Sequence, residues 1–441
     1  MLCALEAHLP ALTNMVRSTP PQTLAQKILA RASGQPHVAV GDIVTGKVDL
    51  AMFHDSSGPR RLKPMLDSLG AKVWDKEKIV LIIDHYVSAN DDESRRIVRI
   101  ARDWAAELSL PNFYDSQGIC HVVLPERGHL RPGMLCVGGD SHSPTGGAFG
   151  AYMFGIGSTE MLGAVVTGEI WVKVPQTIRY RFDGQLSSGV SAKDIMLMLI
   201  GQFGMDGARY QAAEFAGTAI GALDMPERMT LSNMAAELGA QVGLVQADER
   251  TRQFLLEAGV DDDQIDLAAG CGDADACVEL HQFDATQISP QVAAPHSPAN
   301  TSPISDIEMT PIQIAYLGAC TGAKLVDMRA AAAVLRNRKI ATQVQLLVAP
   351  ASARDQRQAQ EEGTLQTLLD AGAQLLPNTC GACAGYGSSI APDSNVISST
   401  ARNFQGRMGQ ASARVWLGSP YTVAASAVQG RLADPRPLLA S

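Results

Sequence analysis

Two cysteine-bearing segments are the main feature of this sequence: Leu375-Leu376-Pro377-Asn378-Thr379-Cys380-Gly381-Ala382-Cys383-Ala384-Gly385 and Leu317-Gly318-Ala319-Cys320-Thr321-Gly322. In both segments a cysteine follows an apolar run that is typical of a strand. The small neighbours of Cys380 and Cys383 leave room for a bulky inorganic group. Cysteine thiolates hold iron–sulfur clusters, usually in fours, so a set of three leaves one iron open. An open metal position is what a Lewis-acid catalyst requires.

Two other interpretations of the Cys380 and Cys383 pair are open on sequence grounds. The same spacing occurs in zinc sites and in redox pairs. A structural zinc site requires a fourth Cys or His nearby, whereas Cys271 and Cys277 lie in a separate acidic stretch. A thioredoxin-type pair would open a helix at the start of the fold, and this pair lies near the end of the chain.

Composition indicates a compact α/β protein and argues against two classes of partner. The 441 residues include 36 basic and 45 acidic side chains, a net charge of −9 without a basic footprint for nucleic acid. The eight cysteines are scattered, and residues 1–17 carry the acidic Glu6 within a broken apolar run. We therefore expect no secretion signal and a cytoplasmic location. No apolar stretch approaches the roughly 18 residues of a membrane helix.

Apolar runs that end in polar clusters recur along the first part of the chain. Residues 79–83 form a continuous aliphatic run, typical of a parallel strand covered on both faces, and Asp84-His85 follows directly. Asp140-Ser141-His142 follows the shorter apolar run 134–137. Ligands of open α/β sheets collect outside the carboxyl ends of the strands, so we expect these polar groups to share one cleft.

Residues 285–305 are predicted to form a linker, because they contain no Asp, Glu, Lys or Arg but have prolines at 290, 295, 298 and 303. Residues 1–284 are predicted to form an N-terminal α/β/α region of two subdomains. Residues 306–441 are predicted to form a third α/β domain that carries the three cysteines, with strands at 314–317, 343–348 and 374–376.

The candidate acid–base set consists of four histidines at strand or loop ends: His54, His85, His121 and His142. A carboxylate beside an imidazole, as in Asp84-His85, raises the pKa of the histidine and makes it a proton donor. An ordinary capped strand end is the alternative for each such pair taken alone. Arg402 and Arg407 offer guanidinium groups that can clamp carboxylates, with a solvated loop as the alternative.

These motifs resemble one family, the aconitase superfamily, and within it the large subunits of isopropylmalate isomerases and homoaconitases. The resemblance covers about residues 23–435, interrupted by the predicted linker. It is carried by Gly139-Asp140-Ser141-His142-Ser143 with Gly146-Gly147-Ala148-Phe149-Gly150, by Ile83-Asp84-His85, by Gly118-Ile119-Cys120-His121, and by Arg402-Asn403-Phe404-Gln405-Gly406-Arg407. The three cysteines fall where the family places its cluster ligands.

The resemblance implies three-layer α/β/α domains with mainly parallel sheets, and a four-iron, four-sulfur cluster held by Cys320, Cys380 and Cys383. It implies a hydro-lyase that removes water from a small 2-hydroxy polycarboxylate and adds it back at the neighbouring carbon. The implied catalytic residues are Asp84, His85, His121, Asp140, His142 and Glu214. The implied substrate-binding residues are His54, Ser141, Arg402 and Arg407. A separate small subunit is also expected, because single-chain relatives take a serine and an arginine from a fourth domain that this sequence lacks.

Two positions depart from the family pattern. Gly322 stands where relatives have the asparagine of SCTN, and Ala401 stands where they have an asparagine before the first loop arginine. Both lost side chains belong near the cluster in relatives, where neighbouring groups tune a metal site. Homoaconitate and methylmalate or citraconate are therefore alternatives to isopropylmalate as substrate. A non-catalytic metal-binding relative, or a lyase without a cluster, is the alternative from another class.

Overall fold

The computed structural model describes residues 20–276, 278–386 and 390–439. Cys3, Cys277 and the N-terminal segment that was considered for a secretion signal lie outside the described residues. The strands run in chain order as β1 Ile43–Lys47, β2 Leu50–His54, β3 Ile79–Ile83, β4 Phe113–Asp115, β5 Leu135–Gly138, β6 Tyr152–Gly155, β7 Glu169–Lys173, β8 Thr177–Asp183, β9 Ala212–Ala216, β10 Val242–Val245, β11 Glu279–Asp284, β12 Gln291–Ala293, β13 Thr301–Pro303, β14 Ile314–Leu317, β15 Gln345–Val348, β16 Gln374–Leu375, β17 Asn395–Ser398 and β18 Arg414–Gly418. The helices are α1 Leu24–Ser33, α2 Pro59–Leu69, α3 Asp92–Leu108, α4 Cys120–Glu126, α5 Ser158–Thr167, α6 Ala192–Phe203, α7 Thr218–Ala222, α8 Met225–Met234, α9 Glu249–Glu257, α10 Leu325–Leu335, α11 Ala353–Glu361, α12 Thr364–Ala371, α13 Pro420–Gln429 and α14 Arg436–Leu439.

The first sheet has the strand order β4-β3-β2-β5-β6, and all of its pairings are parallel. Every residue of β3 is buried, as the unbroken aliphatic run at 79–83 predicts. Because β3, β2 and β5 are parallel neighbours, their carboxyl ends lie along one edge of the sheet. Asp84, Asp55 and Gly139 directly follow these three strands, so the polar segments of the sequence leave the sheet side by side.

The second sheet has the order β10-β9-β8-β11, again with parallel pairings throughout. Helices α6 and α8 pack against each other beside it, and their apolar residues share a core with Tyr180 and Phe215 of the sheet. A separate antiparallel pair joins β1 to β7. The sheets are therefore mainly parallel, in agreement with the prediction.

The third sheet has the order β13-β12-β18-β17-β14-β15-β16 and corrects the predicted linker. Residues 285–305 contribute β12 and β13 to this sheet, and β12 pairs antiparallel with β18. Part of this segment is buried, and Val292 and Ala293 of β12 are fully buried, which disfavours charged side chains there. Three of its prolines, at 290, 295 and 298, lie outside the two short strands, and Pro303 is the last residue of the edge strand β13, where a proline is tolerated.

Capping residues and glycines mark the ends of several helices. Thr23 forms a capping box with Gln26, and Gly34 ends α1 with a left-handed backbone. Farther along the chain, α11 and α12 are two separate helices. Gly363 separates them with φ +83°, a conformation that glycine adopts without strain.

No helix in the described part of the chain has both the length and the apolar character required to cross a bilayer.

Candidate active site

The Asp84-His85 turn is the most tightly connected part of the site. Asp84 Oδ1 lies 2.6 Å from His85 Nδ1, and Asp84 Oδ2 accepts a hydrogen bond from the backbone N–H of Cys120 at 2.7 Å. The buried carboxylate of Asp55 accepts the backbone N–H groups of His85 at 3.1 Å and of Tyr86 at 2.8 Å, which fixes the turn. Asp55 belongs to this site although the sequence analysis did not select it.

The pKa values of the Asp84 and His85 pair are displaced in opposite directions. Burial by itself lowers the pKa of His85, but the charge of Asp84 and their hydrogen bond outweigh burial and raise it to about 9. Burial likewise raises the pKa of Asp84, and the charge of His85 outweighs it and lowers that pKa to about 2. The pair is therefore an ion pair at neutral pH, and His85 carries a proton.

Asp140 is the centre of a second group of histidines. Its Oδ1 lies 2.7 Å from His121 Nε2 and accepts the backbone N–H of His142 at 2.7 Å. His54 Nε2 lies 3.6 Å from the other carboxylate oxygen, and the His54 and His85 rings stack with centroids 3.9 Å apart. Burial opposes ionisation of Asp140, but His121 and its neighbours hold the pKa of this carboxyl well below its usual range.

Glu237 is a site residue that the sequence analysis missed. Its carboxylate is buried, and Oε1 lies 3.0 Å from His142 Nε2 and 2.5 Å from Arg402 Nε. Arg402 also donates from Nη1 to Ser141 Oγ at 2.9 Å. One signal could have identified Glu237, because it is the only charged residue between positions 229 and 245.

The three cysteines come together from two loops beside these groups. Cys320 follows β14, and Asn233 Nδ2 donates to its sulfur at 3.2 Å. Cys383 lies in the 3-10 helix Gly381–Ala384, and the backbone N–H of Cys380 donates to the carbonyl of Asp84 at 2.9 Å. The side chains of Cys380 and Cys383 act on each other's pKa, and the charge of Cys383 acts on the pKa of Cys320.

One of the three thiols is activated by its surroundings. The hydrogen bond from Cys380 and the charge of Arg407 lower the pKa of Cys383 to about 5, against the effect of burial. Burial, with the charge of Cys383, raises the pKa of Cys320 to about 12. Metal ligation requires thiolates, so a bound metal would have to displace the protons that this arrangement retains on the other two thiols.

Several buried polar atoms around the thiols have no hydrogen-bond partner among the described residues: His54 Nε2, Glu237 Oε2 and Arg407 Nε. An unpartnered buried polar atom is costly, and such atoms in a native site are explained by a bound group. A cavity of about 400 Å³ is lined by Asp140 and Arg402, which contact His54 and Glu237 respectively. Ser141 and apolar residues such as Ile156 complete its lining. A polar ligand therefore has both room and donors at this edge of the molecule.

The sequence matches the Aconitase family (aconitate hydratase) over residues 26–311 and 300–430. The chain belongs to the aconitase family. Membership confirms the predicted fold class and the prediction of an aconitase-type hydro-lyase.

Curated relatives match the chain over almost its full length. The probable 3-isopropylmalate dehydratase large subunit of Methanothermobacter thermautotrophicus is 42% identical over 416 residues, which cover 94% of this chain and 98% of that protein. The 3-isopropylmalate dehydratase large subunit of Desulfatibacillum aliphaticivorans is 40% identical and is covered to 99%, again over 94% of this chain. Among solved structures, the holo-form of aconitase X from Thermococcus kodakaraensis has 11% identity and a TM-score of 0.46, over 81% of this chain and 84% of that one.

Twelve of the thirteen site residues that the aconitase-family resemblance implied lie in or next to this cluster, and Glu214 does not. Glu214 is buried in β9, where its Oε1 accepts from Arg179 Nε at 3.0 Å and from Gln246 Nε2 at 3.0 Å. Arg179 is its register partner on the neighbouring strand β8. This cross-strand ion pair accounts for Glu214, and Glu237 is the glutamate that reaches the site histidines.

The two departures from the family pattern have local explanations in the packing. A Cβ atom on Gly322 would lie 2.2 Å from the Cβ of Ser399, so no larger side chain fits while Ser399 is present. The Ser399 hydroxyl accepts the backbone N–H of Gly318 at 2.9 Å and thereby fixes the loop that carries Cys320. Ala401 is fully packed into the core of the second sheet.

Proposed function

We propose that the chain is the large subunit of an iron–sulfur hydro-lyase that interconverts 2-isopropylmalate and 3-isopropylmalate. The observation that carries the proposal is the convergence of three thiols, two carboxylate–histidine pairs and a loop arginine at one edge of the fold. The names of the relatives, which match over almost their full length, support the choice of substrate. The proposed location is the cytoplasm.

The donor set fits a cluster. Cys320, Cys380 and Cys383 would hold it, since thiolates are its usual ligands and the neighbouring Gly381 and Ala382 are small. When bound, the cluster supplies a Lewis-acidic iron for a departing hydroxyl group. The unpartnered Nε of Arg407, whose charge lowers the pKa of Cys383, supports a ligand at the same place.

The residues of the chain supply the proton and the charge. His85 is protonated at neutral pH because its pKa is about 9, so it can deliver a proton to the departing hydroxyl. Asp84 holds the His85 ring through Nδ1, which leaves Nε2 as the donating atom. Arg402, positioned by Glu237, would bind a substrate carboxylate with Arg407, because guanidinium groups pair bidentately with carboxylates.

We further propose a separate small subunit as the partner. The relatives are named large subunits, and each match extends over 94% or more of this chain. The chain alone should therefore bind a cluster but turn over no substrate, and mixing it with the small subunit should restore turnover.

The test uses anaerobically prepared chain with its partner subunit. Cys380→Ser should abolish the visible absorbance and the bound iron, whereas the matched change Cys271→Ser, outside the site, should leave both unchanged. His85→Asn should keep the absorbance and lower turnover by about a hundredfold to ten-thousandfold. Assays of 2-isopropylmalate, homoaconitate and citraconate in parallel identify the substrate. Full iron content in Cys380→Ser, or zinc in place of iron in the parent chain, would refute the proposal.

A further inference from the structure

A second, larger cleft of about 990 Å³ lies between α4, α8, α9, α10 and α11. None of the residues assigned to the candidate active site lines it. The cleft has an apolar wall formed by Val122, Met225, Met229 and Phe254. Its volume is within the range of pockets that hold a small organic molecule, and it is far larger than a single ion needs.

Two carboxyl groups that line this cleft, Glu126 and Asp355, form no ion pair among the described residues. The charges of Lys324 and Arg354 still act on Asp355, and that of Arg354 acts on Glu126. Glu126 Oε1 accepts from Ser352 Oγ at 2.6 Å, and no described lysine or arginine forms an ion pair with Glu126 or Asp355. Asp355 is only 8% exposed, and its buried Oδ2 has no hydrogen-bond partner among the described residues. Leaving such an atom unpaired is costly, so a ligand group that donates to it would be strongly favoured.

The proton affinity of these carboxylates agrees with a missing cation. Burial, followed by the charge of Asp355, raises the pKa of Glu126 to about 8. Burial raises the pKa of Asp355 to about 6. A positive group between them would remove the need for the retained protons.

Three of the four cations that line the cleft form ion pairs with carboxylates. Arg250 contacts Asp224 at 2.9 Å, and Lys324 contacts Asp327 at 2.9 Å. Arg354 lies over the ring of Phe254, 5.9 Å from its centroid. The cleft thus offers two carboxyl groups without ion pairs beside an apolar and aromatic wall.

A metal ion fits this arrangement poorly. The described residues contain two groups of three or more His, Cys, Asp or Glu ligand atoms close enough to share an ion, and neither includes Glu126 or Asp355. Two carboxylates with an apolar wall instead match an ammonium group on an apolar body, since methionine sulfur and phenylalanine both pack well against such a body. We propose that this cleft binds a small organic ammonium compound with an apolar body, whose ammonium group lies between Glu126 and Asp355.

The position of the cleft connects it to the active site. Helix α4 begins at Cys120 and His121 and ends at Glu126, so its two ends face the two sites. Ser352, which donates to Glu126, also forms a bridge with Gly118 just before α4. A ligand at Glu126 would therefore contact the helix that carries His121.

The test measures binding to the full-length chain by titration calorimetry, which is independent of the proposed reaction. Three probes share one aromatic body: 2-phenylethylamine has the ammonium alone, 3-phenylpropanoate has the carboxylate alone, and L-phenylalanine has both. We expect 2-phenylethylamine to bind and 3-phenylpropanoate not to bind. If L-phenylalanine binds with the same affinity as 2-phenylethylamine, the natural ligand is an amino acid. If L-phenylalanine binds more weakly than 2-phenylethylamine, the natural ligand is a simple amine. Both outcomes support the ammonium site.

Substitutions locate the binding. Asp355→Asn and Glu126→Gln should each weaken 2-phenylethylamine at least about tenfold, because each removes a charge from a charge-assisted hydrogen bond. Glu361→Gln is the matched control, since it makes the same change at the exposed end of α11 on the rim of the cleft. The two cleft variants, Asp355→Asn and Glu126→Gln, should melt no lower than the parent, because neither carboxyl group forms an ion pair among the described residues. Absence of amine binding, or equal binding in the parent and both variants, would overturn the proposal.

Discussion

Replacing Asp84 with asparagine should lower the pKa of His85 by at least two pH units. The interval from the ordinary value of 6.5 to about 9 is worth about 3 kcal/mol at roughly 1.4 kcal/mol per pH unit. Burial of the His85 ring opposes its charge, so the imidazole of the variant should titrate at or below its ordinary value. The ring is only 9% exposed, and solvent therefore screens little of the effect.

The same interaction gives the folding stability of the chain a defined pH dependence. The pKa of His85 is raised by folding, so its contribution is complete below about pH 6.5 and is lost as the pH rises through about 9. The pKa of Asp84 is lowered by folding, so the pair also loses its contribution as the pH falls towards about 2. The difference in unfolding free energy between the parent and Asp84→Asn should therefore decrease by about 3 kcal/mol between pH 6 and pH 10.

Two measurements check this expectation. Histidine titration by NMR in the metal-free chain gives the pKa of His85 directly, and urea unfolding at several pH values gives the stability difference. Asp67→Asn, an exposed carboxylate on α2, is the control and should leave both unchanged. An Asp84→Asn variant in which His85 still titrates above pH 8 would show that Asp84 does not hold the proton.

Three further changes test other parts of the structure. Glu237→Gln removes the charge that positions Arg402, so KM should rise about tenfold or more with a smaller change in kcat; steady-state kinetics of the complex with an unchanged KM would contradict this. Gly322→Asn should lower the unfolding free energy by about 1 to 3 kcal/mol because its Cβ meets both the side chain and the backbone carbonyl of Ser399; an unchanged unfolding free energy would contradict this. Thr23→Ala removes the cap of the first helix and should cost about 1 kcal/mol in urea unfolding, whereas Thr23→Ser should stay near the parent.

The positions of Asp84, His85, Asp140 and His142 could be predicted because the sequence marks strand ends clearly. An unbroken aliphatic run can be satisfied only by burial on both faces, which requires a parallel sheet, and parallel strands end at one edge. The polar residues that follow such runs therefore meet whatever their distance along the chain. The same reasoning applies to the three cysteines, which come after strands β14 and β16 of the third sheet.

The positions of Glu214 and Glu237 could not be predicted from strand ends. Glu214 lies inside a strand and is neutralised by Arg179, a partner fixed by strand register that the sequence alone does not reveal. Glu237 follows a helix and reaches the site through the packing of that helix, which no periodic pattern encodes. Its isolation among uncharged residues was the available signal.

The segment at 285–305 was misinterpreted for a related reason. Absence of charge and several prolines are typical of a linker, yet absence of charge is equally typical of buried chain. Short strands such as β12, with three residues, leave too little periodicity to separate the two cases.

The place of β12 in the third sheet has a consequence for how the chain is made. Its partner strand is far along the sequence, since Ala293 pairs with Leu417, a separation of 124 residues. At typical rates of translation the ribosome needs on the order of ten seconds to synthesise that interval. During this time β12 presents an open edge to other nascent chains, and the prolines at 290, 295 and 303 protect it from premature pairing and aggregation.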